Sequence, residues 1–228
     1  IAPGLRAGTL VTDVGSVKEP LAETLPGLLL PESYYVGSHP MAGSHRRGFE
    51  FADPNLFEDA PCVVLESGAP EPEARLCAFW QGLGGRVVRL DARTHDAQVG
   101  WVSHLPHLLA FAFGDALGSA PADVQEVAGP GFRDFTRLAR SEPAMWADIL
   151  SANRKALGGP VQQAIRALGE LSRIIEAGDS QALEEGLLRA RQNLNPSPTV
   201  NSCRAESDAR PSQRQGSTPD GDPKTTHD

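Results

Sequence analysis

The pattern of strand-favouring and helix-favouring segments changes near residue 92, and this change constrains the fold more than any other feature of the chain. Upstream of it, β-favouring runs bounded by turn residues occur at positions 9–14, 34–38, 62–65 and 86–90. Helical spacing at positions 71–83, between the last two runs, completes an alternation that is typical of an α/β sheet. We therefore predict an α/β portion over residues 1–92.

Residues 93–194 show helical spacing only, which predicts an all-α portion. The segment 99–117 is apolar on every face, as in a helix buried in a helical core or a dimer interface. Further helices are predicted at 144–157 and at 160–177, with Pro160 in the first turn and Gly178 at the end of the second. We expect Asp179 to cap a last helix that runs through Leu188.

The C-terminal segment 195–228 differs from the rest in composition. It contains no Leu, Ile, Phe, Tyr, Trp or Met and is rich in Pro, Ser, Asp, Arg and Thr. Such a segment buries too little apolar surface to offset its loss of conformational entropy on ordering. We predict a disordered tail.

Composition excludes several classes of partner and site. A net charge of -8 argues against nucleic acid or an anionic membrane as the main partner. The three cysteines form no CxxC pair, which argues against a disulfide framework or a zinc site and fits a reducing cytoplasm. No apolar run approaches the roughly 20 residues of a membrane span. Because the sequence opens at Ile1 within an element connection, we expect that it begins inside a longer domain.

The first motif that carries chemistry is Gly-Ser-His-Pro-Met-Ala-Gly-Ser at residues 37–44. His39 ends a predicted strand and enters a Pro/Gly-rich loop, and ligands of doubly wound sheets bind outside the carboxyl ends of strands. A histidine with a pKa near 6.5 can accept or hold a proton at neutral pH. The alternative interpretation is a turn with an incidental histidine.

The second motif is Thr-Asp-Val-Gly-Ser-Val-Lys at residues 12–18. A strand runs into Gly15 and Ser16 with Lys18 behind them, so the loop offers backbone amides, a hydroxyl and a cation. This set suits a cofactor amide or a carboxylate. Many ordinary strand-to-helix turns share the pattern.

Three histidines lie within residues 93–194. His95 precedes Asp96, and His104 and His107 are three residues apart, so that on a helix they share a face. A metal pair is disfavoured because no Glu or Cys stands at ligand spacing, and we predict no metal site. The polar wall of a pocket is the preferred interpretation.

A Gly-rich loop at residues 129–131 precedes Arg133 and Arg137, and Trp146 follows. Arginine suits bidentate recognition of a carboxylate, so the two side chains are candidates for a carboxylate clamp. The alternative is a capped helix start with solvated arginines. No GxGxxG fingerprint occurs, because Gly82-Leu83-Gly84-Gly85 lacks the third glycine and follows a helix.

Taken together and in order, six segments resemble the prephenate and arogenate dehydrogenase family over about residues 1–192: TDVGSVK, GSHPMAGS, THD, SHLPHLLAFA, GFRDFTRLA and MWADILSANR. The resemblance implies that residues 1–92 form the C-terminal half of a Rossmann-like NAD(P)-binding domain. Residues 93–194 would then be the helical domain that forms a homodimer and contributes to the substrate site. The implied activity is the oxidative decarboxylation of prephenate to 4-hydroxyphenylpyruvate with NAD or NADP.

The resemblance also implies a role for each motif residue. His39 would be catalytic, with Ser16 beside it at the nicotinamide, and Asp13, Gly15 and Ser16 would belong to the cofactor site. Residues implied at the substrate are Arg137, His104, His107, Arg133, Trp146 and Asp96.

Several alternatives stay open at this stage. The chain could act on arogenate or a related 2-hydroxy acid, or serve only as a helical dimerisation module without activity. The sequence leaves open the preference between NAD and NADP, because the phosphate-binding fingerprint and the residue that selects the cofactor are absent from it. Inhibition by tyrosine is likewise undetermined.

Overall fold

The computed structural model describes residues 4–43 and 48–194 of the chain. The predicted disordered tail, residues 195–228, lies outside the described residues. Among the described helices, none is long and apolar enough to cross a membrane.

The N-terminal portion is built on two small groups of strands. Strands β1 (Leu10–Val11) and β2 (Tyr34–Tyr35) pair in parallel, and the connection between them contains helix α1 (Glu19–Thr24). A second sheet has the order β3-β4-β5, made of β3 (Ser38–Pro40), β4 (Pro61–Leu65) and β5 (Arg86–Leu90). Strand β3 is antiparallel to β4, whereas β4 and β5 are parallel and joined through helix α2 (Pro70–Gly82). The predicted α/β alternation is confirmed.

The predicted strand at 34–38 is divided between the two groups. The amides of Val36 and Ser38 bond to the carbonyls of Val11 and Asp13, and Gly37 then accepts a bond from the amide of Leu65 at 2.9 Å. A Cβ atom at Gly37 would lie 2.8 Å from the Leu65 side chain and 2.9 Å from the Tyr35 hydroxyl. Glycine is therefore required where the chain leaves one partner strand for the other.

The core of this portion lies between the sheet and helix α2. It is a cluster of buried side chains contributed by the strands and the helix: Val36, Cys62, Val64, Leu76, Trp80 and Val87. In β4 the residues Cys62–Leu65 are all buried, which is the pattern of a strand covered on both faces. The core fixes the strand ends from which the site residues project.

The C-terminal portion is helical, as predicted. It contains α3 (Ala92–Val99), α4 (Leu105–Ala116), α5 (Pro130–Thr136), α6 (Pro143–Ala152), α7 (Arg154–Glu176) and α8 (Ser180–Asn193). The predicted helix 99–117 is in fact α4 together with a preceding π-helical turn at Gly100–His104 that continues from α3. Trp101 and Val102 in that turn are exposed, so this stretch is not buried within one copy of the chain.

The predicted position of Pro160 in a first turn is wrong, because α7 begins at Arg154 and Pro160 lies inside it. A proline in a helix leaves the carbonyl four residues earlier without its usual donor, here that of Ala156. Gly100 packs against this carbonyl, and a Cβ at Gly100 would lie 3.8 Å from the oxygen. The predicted end at Gly178, with φ of +68°, and the cap by Asp179 on the amide of Ala182 are confirmed.

We predict that Gly85→Ala destabilises the fold by about 1–3 kcal/mol, the usual cost of overpacking a core. A Cβ at Gly85 would lie 2.7 Å from the Cys62 sulfur and 3.0 Å from the Trp80 carbonyl. The control is Gly82→Ala at the end of α2, where nothing lies within 4 Å and alanine favours the helix. Urea unfolding followed by circular dichroism measures both; equal midpoints for the two variants would contradict the prediction.

Candidate active site

A cavity of about 340 Å³ lies between strand β3 with the loop that follows it and the helical portion. This volume is in the range of small-molecule sites. The strand side contributes His39 and the loop Pro40–Gly43, and the helical side contributes Ser103, His107, Arg137, Leu138, Ser141, Met145 and Trp146. Both portions of the chain are therefore needed to form it.

His39 occupies the middle of β3, paired with Val63, and is 8% exposed. Its Nδ1 lies 2.9 Å from Nε2 of His95 on α3, and the two rings meet edge to face. The Nδ1 of His95 lies 2.7 Å from Oδ1 of Asp96. A hydrogen-bonded chain of two rings and a carboxylate thus runs from the cavity wall into the helical portion.

Asp96 holds the start of α1 as well as His95. Its Oδ1 accepts the amide of Lys18 and its Oδ2 the amide of Glu19, each at 2.8 Å. Burial alone would raise the pKa of Asp96, but the hydrogen bonds from His95, Glu19 and Lys18 outweigh it and lower the pKa. Asp96 is therefore a buried carboxylate, whose Oδ1 accepts hydrogen bonds from the start of α1 and from α3, and whose Oδ2 accepts one from α1.

The loop between β1 and α1 is ordered around Asp13. Its carboxylate pairs with the buried amine of Lys18 and accepts the amide of Gly15 at 2.7 Å and the hydroxyl of Tyr35 at 2.6 Å. Burial lowers the pKa of Lys18, although Asp13 opposes that shift, and burial and Asp13 together raise the pKa of Tyr35. Asp13 thus stabilises the turn through these hydrogen bonds. Ser16, in the same turn, is half-buried.

The surroundings of His39 keep its ring neutral. Burial, reinforced by the neighbouring His95, Lys18 and His104, lowers the pKa of His39 to about 3, against an opposing effect of Asp13. This is well below the value near 6.5 expected from sequence. A neutral imidazole in a cavity wall can accept a proton from a bound hydroxyl.

His107 and Trp146 form the opposite wall. Their rings stack with centroids 3.7 Å apart, and His107 Nδ1 bonds to the Ser103 carbonyl at 2.9 Å. Arg137, beside them in the lining, is exposed at the C-terminal end of α5. The cavity thus has an imidazole on one side and a guanidinium on the other.

His104 lies behind this wall rather than in it. It is buried, its Nδ1 is 2.8 Å from the side-chain amide of Asn153, and its ring meets the edge of Trp146. Among the described residues, its Nε2 is buried without a hydrogen-bond partner. Burial lowers the pKa of His104 to about 4.

The predicted site residues fall into three groups according to their position relative to the cavity. His39, His107, Arg137 and Trp146 line the cavity; Asp96, His104, Asp13, Gly15 and Ser16 lie outside its described lining, in the layers that surround it. Arg133 is exposed and donates to the carbonyl of Ala128 at 2.8 Å, away from the cavity. Their sequence-based roles stay predictions.

Sequence reasoning missed Asn153, and it named His95 and Lys18 in their motifs without including them among the site residues. His95 stands in the quoted THD segment beside Asp96, so that segment was the available signal. Nothing in the spacing indicated that Asn153 bonds both His104 and, at 2.9 Å, the carbonyl of Asp96. No group of three or more metal-binding side chains is found among the residues that the structure describes.

Comparison with known proteins gives matches to two family models. The nucleotide-binding domain of prephenate dehydrogenase matches residues 1–89, and the prephenate dehydrogenase dimerization domain matches residues 91–189. The prephenate dehydrogenase of Lactococcus lactis is 36% identical over 184 residues, covering 79% of this chain and 51% of the relative. The chain thus spans about half the length of that curated relative.

Solved structures give the same likeness in three dimensions. The prephenate dehydrogenase of Aquifex aeolicus in complex with hydroxyphenyl propionate and NAD+ matches with a TM-score of 0.76 and 31% identity, covering 84% of this chain and 68% of that one. The arogenate dehydrogenase of Synechocystis matches with a TM-score of 0.70 and 31% identity, covering 84% and 70%. By both domain matches and these structural relatives, the chain belongs to the prephenate dehydrogenase family.

Proposed function

We propose that this chain supplies the substrate cavity and part of the cofactor site of a prephenate dehydrogenase. The reaction is the oxidative decarboxylation of prephenate to 4-hydroxyphenylpyruvate with NAD or NADP. The observation that carries the proposal is that a buried, neutral imidazole and an arginine line one cavity of about 340 Å³. Prephenate carries a ring hydroxyl and two carboxylates, which are the groups that these two side chains recognise.

His39 acts on the hydroxyl. Its ring nitrogen accepts the hydroxyl proton as the ring carbon is oxidised, and the neutral state of the ring makes it competent to do so. Arg137 binds a carboxylate, and a charge-assisted bond of this kind fixes the orientation of the substrate. The stacked pair His107 and Trp146 forms a flat wall against which the substrate ring packs.

The residues present fit the nicotinamide end of a dinucleotide. The loop at residues 12–18 leaves the carboxyl end of β1, where doubly wound sheets bind ligands, and it is held beside His39 through Asp96. Bound NAD or NADP would supply the hydride acceptor, and loss of carbon dioxide then restores the aromatic ring. The loop at residues 12–18 would place Ser16 and its own backbone amides around the nicotinamide.

Arogenate is the second candidate substrate. Support comes from the likeness to the Synechocystis arogenate dehydrogenase, which matches this chain as closely in identity as the Aquifex aeolicus enzyme. Prephenate and arogenate differ in a side-chain keto or amino group, while the hydroxyl and the ring carboxylate are shared. The same assignment of His39 and Arg137 serves either substrate.

A homodimer through the helical portion is part of the proposal. On helix α7, the side chains of Ile165, Leu168 and Ile175 lie along one stripe, and each is more than half exposed. The next helix, α8, exposes Leu187. Such a stripe on a helix is typical of a surface that another copy covers. A cytosolic location, consistent with three cysteines that form no CxxC pair, completes the proposal.

Binding of hydroxyphenyl propionate to the 228-residue chain tests the cavity assignment directly. We expect Arg137→Ala to weaken this binding by about 10- to 150-fold, the worth of one charge-assisted bond of roughly 1.5–3 kcal/mol. Arg133→Ala removes the same charge four residues away, outside the cavity lining, and we expect a change of less than about threefold. Titration calorimetry measures both; equal losses in the two variants would remove the basis for a specific clamp.

Replacement of His39 separates catalysis from binding. In a form of the protein that carries a complete dinucleotide-binding segment, His39→Asn should lower kcat by about 10²- to 10⁴-fold, the usual worth of a positioned base. The KM for prephenate should change little, because the proton moves only in the transition state, whereas Arg137→Ala should mainly raise KM. Steady-state kinetics in both variants measures the split. A normal kcat in the asparagine variant would exclude His39 as the base.

The acid limb of activity should lie below pH 5. Protonation removes the base, and in the folded protein the pKa of His39 is lowered to about 3. Stability limits the measurement, since unfolded histidine titrates near 6.5 and the folded pKa values of His39 and His104 are lower. Below about pH 6.5 the unfolded chain binds protons at these two histidines that the folded protein does not bind. The free energy of unfolding therefore falls as the pH drops from 6.5 toward the folded pKa values, by about 2 kcal/mol per histidine at pH 5.

Kinetics of kcat/KM against pH, restricted to conditions where circular dichroism shows a folded protein, distinguishes the two effects. An acid limb at pH 6.5 in protein that remains folded would show that His39 titrates as if exposed.

The stripe on α7 predicts the oligomeric state. We expect a dimer at micromolar concentration, and Leu168→Glu should give a monomer because it buries a charge in an apolar interface. The control is Gln163→Glu, which adds the same charge at an exposed site on the opposite side of α7. Light scattering reports the mass of each; a dimer that survives Leu168→Glu would place the interface elsewhere.

A further inference from the structure

We infer that His95 is a positioning residue that holds His39 in one tautomer, with hydrogen on Nδ1 and the lone pair on Nε2. The structural part of this inference stands on the hydrogen-bonded chain His39–His95–Asp96 alone. Its catalytic consequence rests on the proposed function, in which the Nε2 lone pair receives the proton of the substrate hydroxyl.

The direction of the chain follows from its last member. Asp96 is an ionised carboxylate that only accepts hydrogen bonds, so the contact of 2.7 Å to its Oδ1 requires a hydrogen on Nδ1 of His95. A neutral imidazole carries one such hydrogen, which leaves a lone pair on Nε2 of His95. The contact of 2.9 Å from that atom to Nδ1 of His39 therefore requires the hydrogen of His39 to be on Nδ1.

The same constraint selects the reactive atom of His39. With Nδ1 committed to His95, Nε2 is the nitrogen of the ring that is left to act in the cavity, and it carries a lone pair. The opposite tautomer would present an N–H to the substrate hydroxyl, which is a donor and no base. Free imidazole exchanges between the two forms, so this selection has to come from the neighbouring group.

Three elements hold His95 in the orientation that the selection needs. Asp96 is fixed by the amides of Lys18 and Glu19 at the start of α1, and its own carbonyl accepts the side-chain amide of Asn153, which ends α6. His95 itself is fully buried on α3. A ring on a β-strand is thus oriented from the helical portion of the chain, across the boundary between the two portions.

The arrangement also places a negative charge where the reaction develops a positive one. When Nε2 of His39 gains a proton, the ring becomes a cation whose Nδ1–H still donates to His95. The carboxylate of Asp96 is one ring away, and in a buried site its field is weakly screened. The reversed hydrogen-bond direction would need a doubly protonated, cationic His95 at a fully buried position, where a charge is costly to desolvate.

Nitrogen NMR of the 228-residue chain with 15N-labelled histidine reads the tautomer without any cofactor or substrate. Two-bond 1H–15N correlation at neutral pH should show His39 with a protonated Nδ1 and a bare Nε2. His39→Asn identifies the signals by their loss. A His39 ring that is protonated on Nε2 in the unaltered chain would overturn the inference.

Two substitutions of His95 form a matched pair. Asparagine places its amide near the former Nδ1, within reach of Asp96 but short of His39, whereas the longer glutamine places an amide oxygen near the former Nε2. We expect His95→Asn to release His39 to a mixture in which the Nε2–H form is populated, and His95→Gln to retain the Nδ1–H form. The inference fails if His39 keeps the Nδ1–H form in both folded variants.

Kinetics then tests the consequence in a form with a complete dinucleotide-binding segment. Loss of the group that fixes a catalytic tautomer costs up to about 10⁴-fold in kcat in other enzymes, and we expect a loss of at least about tenfold in His95→Asn, with partial recovery in His95→Gln. The KM should hold, because Arg137 is untouched. Unchanged kcat in both variants, with the tautomer released, would refute the positioning role.

The two proposals fail separately. If the NMR pattern holds but the chain does not bind hydroxyphenyl propionate, the proposed function is wrong and the tautomer assignment stands. If binding and its dependence on Arg137 hold but His39 shows the other tautomer, the proposed function stands and the role of His95 is wrong.

Discussion

The carboxylate of Asp96 is the constraint on which the rest of the site depends. It accepts hydrogen bonds from His95 and from the first amides of α1, while its backbone carbonyl receives Asn153. The carboxylate thus connects α3 to the start of α1, and the backbone carbonyl of the same residue connects α3 to the junction of α6 with α7. Removal of such a charge would leave several buried donors unpaired, which costs far more than one hydrogen bond. The position of the His39 ring therefore depends on a residue that lies outside the described lining of the cavity.

Burial gives His39 its chemical character, and the two portions of the chain share in that burial. Near a hydroxyl substrate, a histidine with an ordinary pKa would be partly protonated at neutral pH and partly lost as a base. In the described structure the ring is covered by its neighbours, and the nearby Lys18 and His104 further lower the pKa. The cost of an enclosed site is a weaker driving force for proton transfer, since a low pKa makes a weaker base. The carboxylate of Asp13, which opposes the lowering of the His39 pKa, offsets part of this cost.

Much of the fold could be predicted from sequence, because period and turn signals are local. The alternation of strands with helices before residue 92, the helical portion after it and the cap at Asp179 all follow from spacing. The division of the strand at Gly37 could not be predicted, because it depends on which distant strands the two halves meet. The position of Pro160 inside α7 was missed because proline is typical of a first helical turn, whereas the contact of Gly100 with the Ala156 carbonyl is tertiary. In the candidate site, the sequence motifs contained His95 but did not indicate its contact with His39, and they did not indicate the role of Asn153, because these partners lie 49 to 57 positions away.

The helical spacing of His104 and His107 predicts a shared pocket wall, whereas the structure gives the two side chains different surroundings. Both rings meet Trp146, His104 edge to face and His107 stacked. His104, at the end of the π-helical turn at Gly100–His104, turns inward to Asn153, and His107, in the first turn of α4, stacks on Trp146 in the cavity wall. The carbonyl of Ser103 then bonds to His107 Nδ1 and fixes that ring. Two histidines three residues apart on one helix thus have different environments, one within the buried cluster and one in the lining of the cavity.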